Sequence, residues 1–451
     1  MSEWINFKLG DIGSFTNGIN KDKNSFGFGF PFVNLMDIFN KDIIYQKPLG
    51  LVNASQDELN RYSIKEGDIL FVRSSVKLDG VGKVCAVANN LENTSFSGFI
   101  IRFRQSELFI DKIFASYYLN SSPIRRQVIS KATLSANSNI NQESLKSIQI
   151  QLPSLEHQRK IAKVLFATDA VIEQTQSAIA KYKAIKQGLL HDLFTRGLLQ
   201  DDITYTNSKG QMVELRRNQL RPTYHDAPDL YKQSELGMIP REWEVKRLEN
   251  CTTYVDYRGK TPPKSDRGIV LVTAKNIRFG YIDYELSKEY IFEYAFENAM
   301  SRGKAFIGDV LITTEAPMGN VAQIDKEGIA LAQRVIKYQG HTNELNNDFL
   351  KLALMSDGFQ QTLMSESTGS TALGIKGSRL HKLKILIPQI EEQKEIAKRV
   401  KTIDKKIRTE ETLLQKYQSI KQGLMGDLLG GRKEVITETP EEIETKGHER
   451  N

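Results

Sequence analysis

The chain has 451 residues, of which 40% are hydrophobic and 26% charged, a composition that excludes wholesale disorder. Its 62 basic and 55 acidic side chains leave a net charge of +7, which permits nucleic-acid binding without establishing it. There is no apolar run of membrane-spanning length, no signal peptide is expected, and two distant cysteines exclude a disulfide framework and a cysteine zinc site. We therefore expect a cytoplasmic protein.

Residues 1–152 are predicted to form a first β-rich globular domain. Short runs of β-branched residues bounded by Gly, Asp and Asn, such as the one that begins at Gly67, are typical of strands. A helix is predicted from Asp111, which is a capping residue type.

Residues 153–197 are predicted to form one long helix. Proline at position 153 is tolerated just before a helix, and about 40 helical residues span about 60 Å. Its apolar residues recur at steps of three, four and seven, which describes a single stripe on one face. The stripe consists of Ile161, Leu165, Ile172, Ile179, Tyr182 and Leu189.

The second half of the chain repeats this order after a linker predicted at residues 198–238, which lack periodicity. A second β-rich domain is predicted at residues 239–387 and a second long helix at residues 388–431. The charged tail, residues 432–451, is predicted to be disordered. The stripe of the second helix consists of Ile396, Val400, Ile403, Ile407, Leu414, Tyr417 and Leu424.

The two long helices are copies of one sequence. From Pro153 to Leu193 the chain aligns without a gap to residues 388–428, and 17 of these 41 positions are identical. Chance gives about two or three identities over such a length. The similarity is weaker in the globular domains, where Gly67-Asp-Ile-Leu pairs with Gly308-Asp-Val-Leu and positions 73–75 are placed opposite 313–315. Two similar scaffolds with different loops indicate two different targets.

Two tandem copies with one stripe each most simply bury those stripes against each other as an antiparallel pair. The fold class is then α+β, with two pseudo-symmetric β-rich domains separated by a pair of long antiparallel, coiled-coil-like helices. The alternative is that each helix packs on its own globular domain. Lys186 and Lys421 interrupt the two stripes at matching places.

Signatures of catalysis are absent from the sequence. There is no phosphate-binding loop, no His-x-x-x-His metal motif among the six histidines and no Asn/Asp-Pro-Pro-aromatic motif of the kind found in DNA methyltransferases. We therefore expect a non-catalytic chain with no catalytic, cofactor-binding or metal-binding residues, whose partner subunits perform the chemistry.

The repeated segments Pro-x-x-Glu-x-Gln-x-x-Ile-Ala, which begins at Pro153 and Pro388, and Lys-Gln-Gly-Leu, which begins at Lys186 and Lys421, resemble the specificity subunit of type I restriction-modification systems. The resemblance covers the chain to about residue 430. It implies that each globular domain is a target recognition domain for one half of a split DNA sequence, and that the helices set the gap between half-sites.

The resemblance also implies partners. Two methyltransferase subunits would dock on the paired helices, and motor-nuclease subunits would join them in the restriction complex. S-adenosylmethionine, ATP and Mg would then lie on these partners and not on this chain. A rod of tens of Å separates two readers by roughly one turn of B-DNA, which is about 34–36 Å.

Base recognition needs side chains that donate and accept hydrogen bonds, and basic groups for phosphates. We predict DNA contacts from turns next to strands in both domains. In the first domain they are Arg73, Ser74, Ser75, Lys77, Lys83, Asn137 and Asn139. In the second domain they are Arg258, Lys260, Lys264, Lys275, Asn276, Arg278, Thr313, Thr314 and Lys376.

Two other functions are alternatives to DNA recognition by a specificity subunit. A coiled-coil scaffold without nucleic-acid function accounts for the helices but not for two divergent β-rich domains on one scaffold. A self-contained DNA methyltransferase needs a cofactor loop and a catalytic motif that the sequence lacks.

Overall fold

The computed structural model describes residues 3–39, 42–45, 48–133, 137–259, 262–369 and 373–435. It divides into two compact units. Unit 1 comprises Met1–Ser177 and Glu411–Asn451, and unit 2 comprises Ala178–Glu410. Each unit therefore combines a globular part with a portion of both long helices.

The elements of the first globular part follow in chain order: β1 (Ile5–Lys8), β2 (Gly13–Asn17), β3 (Phe26–Val33), α1 (Leu35–Ile38), β4 (Ile43–Ile44), β5 (Gly50–Val52), α2 (Gln56–Arg61), β6 (Ile69–Val72), β7 (Ser74–Ser75), β8 (Val84–Val87), β9 (Ser95–Phe96), β10 (Ile100–Gln105), α3 (Lys112–Tyr118), α4 (Ser122–Ser130), β11 (Ser138–Asn139), α5 (Gln142–Lys146) and β12 (Gln149–Leu152).

The middle of the chain contains α6 (Leu155–Thr195), β13 (Ile203–Thr206), β14 (Met212–Leu215), β15 (Tyr231–Ser234) and β16 (Gly237–Pro240). The predicted linker thus has regular structure, because β13 pairs with β14 and β15 pairs with β16 as antiparallel hairpins. The sequence does not predict these hairpins, because strands of four residues are too short to show a clear apolar period.

The second globular part and its helix contain β17 (Glu244–Arg247), α7 (Leu248–Cys251), β18 (Thr252–Asp256), β19 (Lys264–Ser265), β20 (Ile269–Val272), β21 (Ile277–Arg278), β22 (Tyr281–Ile282), β23 (Tyr290–Ile291), α8 (Phe296–Ala299), β24 (Val310–Thr313), β25 (Val321–Gln323), β26 (Ala330–Leu331), β27 (Val335–Gly340), α9 (Asn347–Met355), α10 (Asp357–Ser365), α11 (Gly377–Leu380), β28 (Lys384–Ile387) and α12 (Ile390–Leu428).

The main sheets of the two units share the order of four strands. The order is β2-β10-β6-β8 in unit 1, where β4 adds a fifth strand beside β8, and β18-β27-β24-β25 in unit 2. A parallel pair also recurs, β3 with β9 and β20 with β26. Strands β6 and β24 are buried along their whole length, as expected for central strands covered on both faces. The structure confirms the predicted fold class of two β-rich units on related scaffolds.

The repeated Gly-Asp pair forms the turn that leads into each central strand. Gly67 and Gly308 have left-handed backbone angles, with φ of 83° and 91°, which glycine adopts without strain. The buried carboxylates that follow accept a hydrogen bond from the backbone of the same turn, Asp68 from Lys65 N and Asp309 from Phe306 N. Each carboxylate also pairs with a basic side chain of the neighbouring strand, so the pair closes the turn onto the sheet.

A buried glutamine near the start of each long helix anchors that helix to its globular part. The Gln158 amide donates to Phe109 O and Pro153 O and accepts from Asp111 N. The Gln393 amide makes the same three contacts in unit 2, with Glu344 O, Pro388 O and Asn346 N. The glutamine of the repeated Pro-x-x-Glu-x-Gln motif therefore joins the long helix to the N-cap residue of α3 in unit 1 and of α9 in unit 2.

The long helices run antiparallel within each unit. In unit 1 the start of α6, with Ile161 and Leu165, shares a core with Leu424 and Leu428 near the end of α12. In unit 2 Leu193, near the end of α6, shares a core with residues at the start of α12. Both cores include strands of the globular parts, so the ends of each stripe are buried against the sheet as well as the partner helix.

Every predicted stripe residue is on a covered face. Ile161, Leu165, Ile179, Ile396, Val400 and Ile407 are buried. The remaining ones are partly buried, namely Ile172, Tyr182, Leu189, Ile403, Leu414, Tyr417 and Leu424.

A buried ionic cluster fixes the end of α6 in unit 2. Glu392 accepts from Leu198 N at 2.7 Å and from Trp243 Nε1 at 3.1 Å, and its carboxylate lies 3.8 Å from the Arg221 guanidinium. Burial raises the pKa of Glu392 above its ordinary value, while the Leu198 N–H and Arg221 oppose this rise. Gly197, with φ of 65°, leaves no room for a side chain beside Trp243.

None of the helices in the described part of the chain is long and apolar enough to cross a membrane.

Candidate nucleic-acid interface

The predicted site of unit 1 is at the end of the central strand β6. Arg73 N donates to Phe99 O, and Ile140 N donates to Arg73 O at 3.0 Å. These bonds bring β7 beside β11, with Ser75 opposite Ser138 and Ser74 opposite Asn139. The structure therefore brings Asn139 to the same edge as the consecutive residues Arg73, Ser74 and Ser75, although it lies more than 60 residues further along the chain.

The other residues predicted in unit 1 surround this edge. Lys77 and Asn137 are exposed, and Asn137 O accepts a hydrogen bond from the Asn139 amide at 2.7 Å. Lys83 is partly buried, with its ammonium 5.1 Å from the centre of the Phe39 ring. The Arg73 guanidinium donates to Gly98 O at 3.1 Å, which fixes its direction but leaves it partly exposed.

Unit 2 builds the same edge at the end of β24. Thr314 N donates to Arg334 O and Ile375 N donates to Thr314 O, each at 3.0 Å. Thr314 thus occupies the place of Arg73, and Glu315 the place of Ser74. The sequence pairing of positions 73–75 with 313–315 is shifted by one residue from this structural equivalence.

Three polar residues predicted in unit 2 are inside the protein. Asn276 is 1% exposed, and its amide accepts from Thr273 and donates to Asp283 O and Ser287 O. Thr313 and Thr314 are also buried. The Asn276 amide and the Thr313 hydroxyl bond backbone groups inside the protein, and Thr314 is covered, so we exclude these three from the proposed interface.

The basic residues predicted in unit 2 are distributed over several loops. Lys275, Arg278 and Lys376 are exposed, and Lys376 precedes α11 as its N-cap. Lys264 is paired with Glu289 at 2.6 Å, and Arg258 with Asp256 at 3.1 Å. Lys260 lies outside the described residues.

Two residues at the edge of unit 2 were not found from the sequence. Glu315 Oε1 lies 2.8 Å from Arg334 Nε, and both side chains are about half exposed. Arg334 is in the left-handed region, with φ of 73°, and occupies the place that Phe99 has in unit 1. The repeat offset differs between the β6 and β10 regions, so only the strand pairing brings these positions together.

The family model of the type I restriction modification DNA specificity domain matches residues 1–182 and 240–418. The chain therefore belongs to this family. It is 26% identical over 429 residues to the putative type I restriction enzyme MjaX specificity subunit of Methanocaldococcus jannaschii, covering 93% of this chain and 91% of that protein. The MjaVIII specificity subunit of the same organism is also 26% identical, over 354 residues, covering 75% and 74%.

The fold is also similar to a solved structure. The crystal structure of a type I restriction-modification system S subunit from M. genitalium superposes with a TM-score of 0.54 at 14% identity, and the match covers 95% of this chain and 96% of that one. This likeness shows a shared fold.

Proposed function

We propose that this chain is the DNA-recognition subunit of a type I restriction-modification complex and that each unit reads one half of a bipartite target. The observation that carries the proposal is the strand edge that both units share. Equivalent backbone hydrogen bonds form this edge in each unit, but the side chains exposed there differ. Family membership supports the same function.

Each edge offers groups suited to reading double-stranded DNA. In unit 1, Arg73 matches the O6 and N7 acceptors of guanine, Asn139 matches adenine, and the two serines suit any base. In unit 2, Glu315 accepts from the cytosine amino group and Arg334 donates to guanine. Exposed lysines around these edges, such as Lys77 and Lys376, suit phosphate contacts that fix the position of the protein on the duplex.

In this proposal the chain performs no catalysis. Two methyltransferase subunits dock on the paired helices and carry S-adenosylmethionine, and motor-nuclease subunits bring ATP and Mg chemistry to the complex. The assembly acts on DNA in the cytoplasm. The relatives named as specificity subunits support this division of labour.

The test is an exchange of the second recognition domain. Residues 239–387 are replaced by the corresponding region of a relative, the chain is combined with methyltransferase subunits from its own host, and the methylated sequence is mapped. We expect one half-site to change and the other to stay. A change in both half-sites, or methyl transfer by the purified chain alone, would contradict the proposal.

A further inference from the structure

Two equivalent ion pairs join the long helices. In unit 2 the Lys186 ammonium lies 2.6 Å from the Asp404 carboxylate, and in unit 1 the Lys421 ammonium lies 2.6 Å from Asp169. In both pairs the lysine is 23% exposed and the aspartate 29%. Asp169 and Asp404 occupy the same position of the repeat, as do Lys186 and Lys421, so the internal symmetry of the chain generates the same pair twice.

Each pair also meets the globular part of its own unit. The Tyr117 hydroxyl of α3 donates to Asp169 at 2.6 Å, and the Lys421 ammonium lies 5.5 Å from the centre of the Tyr117 ring. On α9 in unit 2, burial lowers the pKa of Lys351, and the Asp404 charge opposes this. The charges are thus half-buried between three helices, where an unpaired partner is costly.

The apolar stripe alone leaves the register of the helices open. Val400, Ile407 and Leu414 recur every seven residues, so a slide of one helix by seven residues, about 10 Å, again places these apolar side chains against apolar side chains. The same slide separates both ion pairs and leaves charged groups against the stripe. Polar residues in an apolar seam select one register in this way.

Both pairs specify one register. From Asp169 to Lys186 helix α6 advances by 17 residues, and from Lys421 to Asp404 helix α12 goes back by 17. In an antiparallel pair, residues at equal and opposite steps face each other, so the two contacts form together or not at all.

We propose that Asp169, Lys186, Asp404 and Lys421 are positioning residues that fix the register of the long helices and thereby the number of base pairs between the half-sites. The statement about the gap rests on the proposed function, whereas the statement about the register does not.

The register is tested on the purified full-length chain without DNA. Spin labels are attached through Ala180→Cys on α6 and Lys401→Cys on α12, two exposed positions within unit 2. The native Cys85 and Cys251 are buried, and burial raises the pKa of Cys251 to about 12, which makes its thiol unreactive. Distances are then compared between the labelled parent and a variant that replaces both pairs, with Lys186→Met, Lys421→Met, Asp169→Leu and Asp404→Leu.

The apolar replacement keeps the helices together but removes the selection of register, because apolar residues of similar volume often stabilise as well as a buried pair. We expect an undiminished denaturation midpoint and a second distance population that corresponds to a helix slide of about 10 Å. A single distance population identical to that of the parent would overturn the proposal.

Exchanging the charges of the Lys186–Asp404 pair tests whether a reversed pair restores the register, and exchanging an exposed pair is the control. Lys186→Asp alone places two like charges together and should broaden the distances, and adding Asp404→Lys should restore one population. The exchange of Glu391→Lys with Lys394→Glu reverses an exposed pair, 2.7 Å apart within α12, and should change nothing. If the double exchange at positions 186 and 404 fails to restore one population, the pairing does not set the register.

The gap is tested by methylation of duplexes whose half-sites are separated by the native gap or by about three base pairs more or fewer. A slide of about 10 Å corresponds to about three base pairs. The ratio of methylation rates on the native gap and on the altered gap should be about tenfold lower for the Met/Leu variant than for the parent. An unchanged preference despite shifted register would overturn the link between register and gap. Absence of methylation by the parent complex would count against the proposed function, and the label distances would still decide the register.

Discussion

The edges that follow β6 and β24 share their backbone hydrogen bonds but not their side chains. Arg73, Ser74 and Phe99 in unit 1 correspond to Thr314, Glu315 and Arg334 in unit 2. By contrast, the Gly-Asp pair that leads into the same strands recurs in both units, and its buried aspartate makes equivalent contacts in each. Buried, paired groups therefore hold the scaffold while the partly exposed edge varies, as expected of one design with two targets.

The largest expected difference between the units concerns the cluster at Glu392. In unit 1 the corresponding position is His157, which is only partly buried. Replacing Arg221 with Met leaves the fully buried Glu392 carboxylate without its cation and should lower the free energy of unfolding by about 3–5 kcal/mol. His157→Ala should lower the free energy of unfolding by no more than about 1 kcal/mol. Denaturant titration of both variants checks this, and similar losses in the two would contradict it.

The anchoring glutamines should instead behave alike. Gln158→Leu and Gln393→Leu each leave one backbone N–H and two carbonyls without their partner, which should cost about 3 kcal/mol of unfolding free energy in each case. The exposed Gln389→Leu variant is the control and should be nearly neutral. Denaturation midpoints measure the effect. A clear inequality between the two glutamine variants would show that the junctions are not equivalent.

Substitutions at the exposed edge should affect a different half-site in each unit. Glu315→Ala removes a base acceptor and the partner of Arg334, and should relax selection at one base pair of the second half-site by about 1–3 kcal/mol. Ser74→Ala, at the equivalent position, should affect the first half-site alone. Sequencing of methylated DNA from each variant complex tests this. Relaxation of the same half-site by both variants would contradict it.

The smallest effect is expected from the exposed lysines. Lys77→Ala and Lys376→Ala each remove a proposed phosphate contact, so each should weaken binding equally at all sequences and lower the salt dependence of binding by about one counterion. Binding of duplex DNA to the full chain is measured at several salt concentrations. A change in the preferred sequence in either variant would indicate a base contact instead.

Much of the architecture follows from the sequence. The apolar steps from Ile161 to Leu189 predict a long helix, and α6 extends over Leu155–Thr195. The run that follows Gly67 becomes the buried strand β6. The sequence similarity of the two helical segments reveals the repeat, and the motifs in that repeat indicate the family that the family model confirms. These features are determined locally, because periodicity and turn chemistry act over a few residues.

The residues of the candidate site are harder to predict from the sequence. Residue type favours Asn276, Thr313 and Thr314 as contacts, but tertiary structure buries all three. Glu315 falls in the repeat pairing of positions 73–75 with 313–315 without being chosen as a contact. Arg334 carries no sequence signal, because only a bond between distant strands brings it to the edge. The ion pairs of Lys186 and Lys421 also appeared only as breaks in an apolar stripe. Sequence alone thus determined the helices, the repeat and the class of protein. Tertiary structure decided which polar residues are free to contact a partner, because burial and pairing depend on residues far apart in the chain.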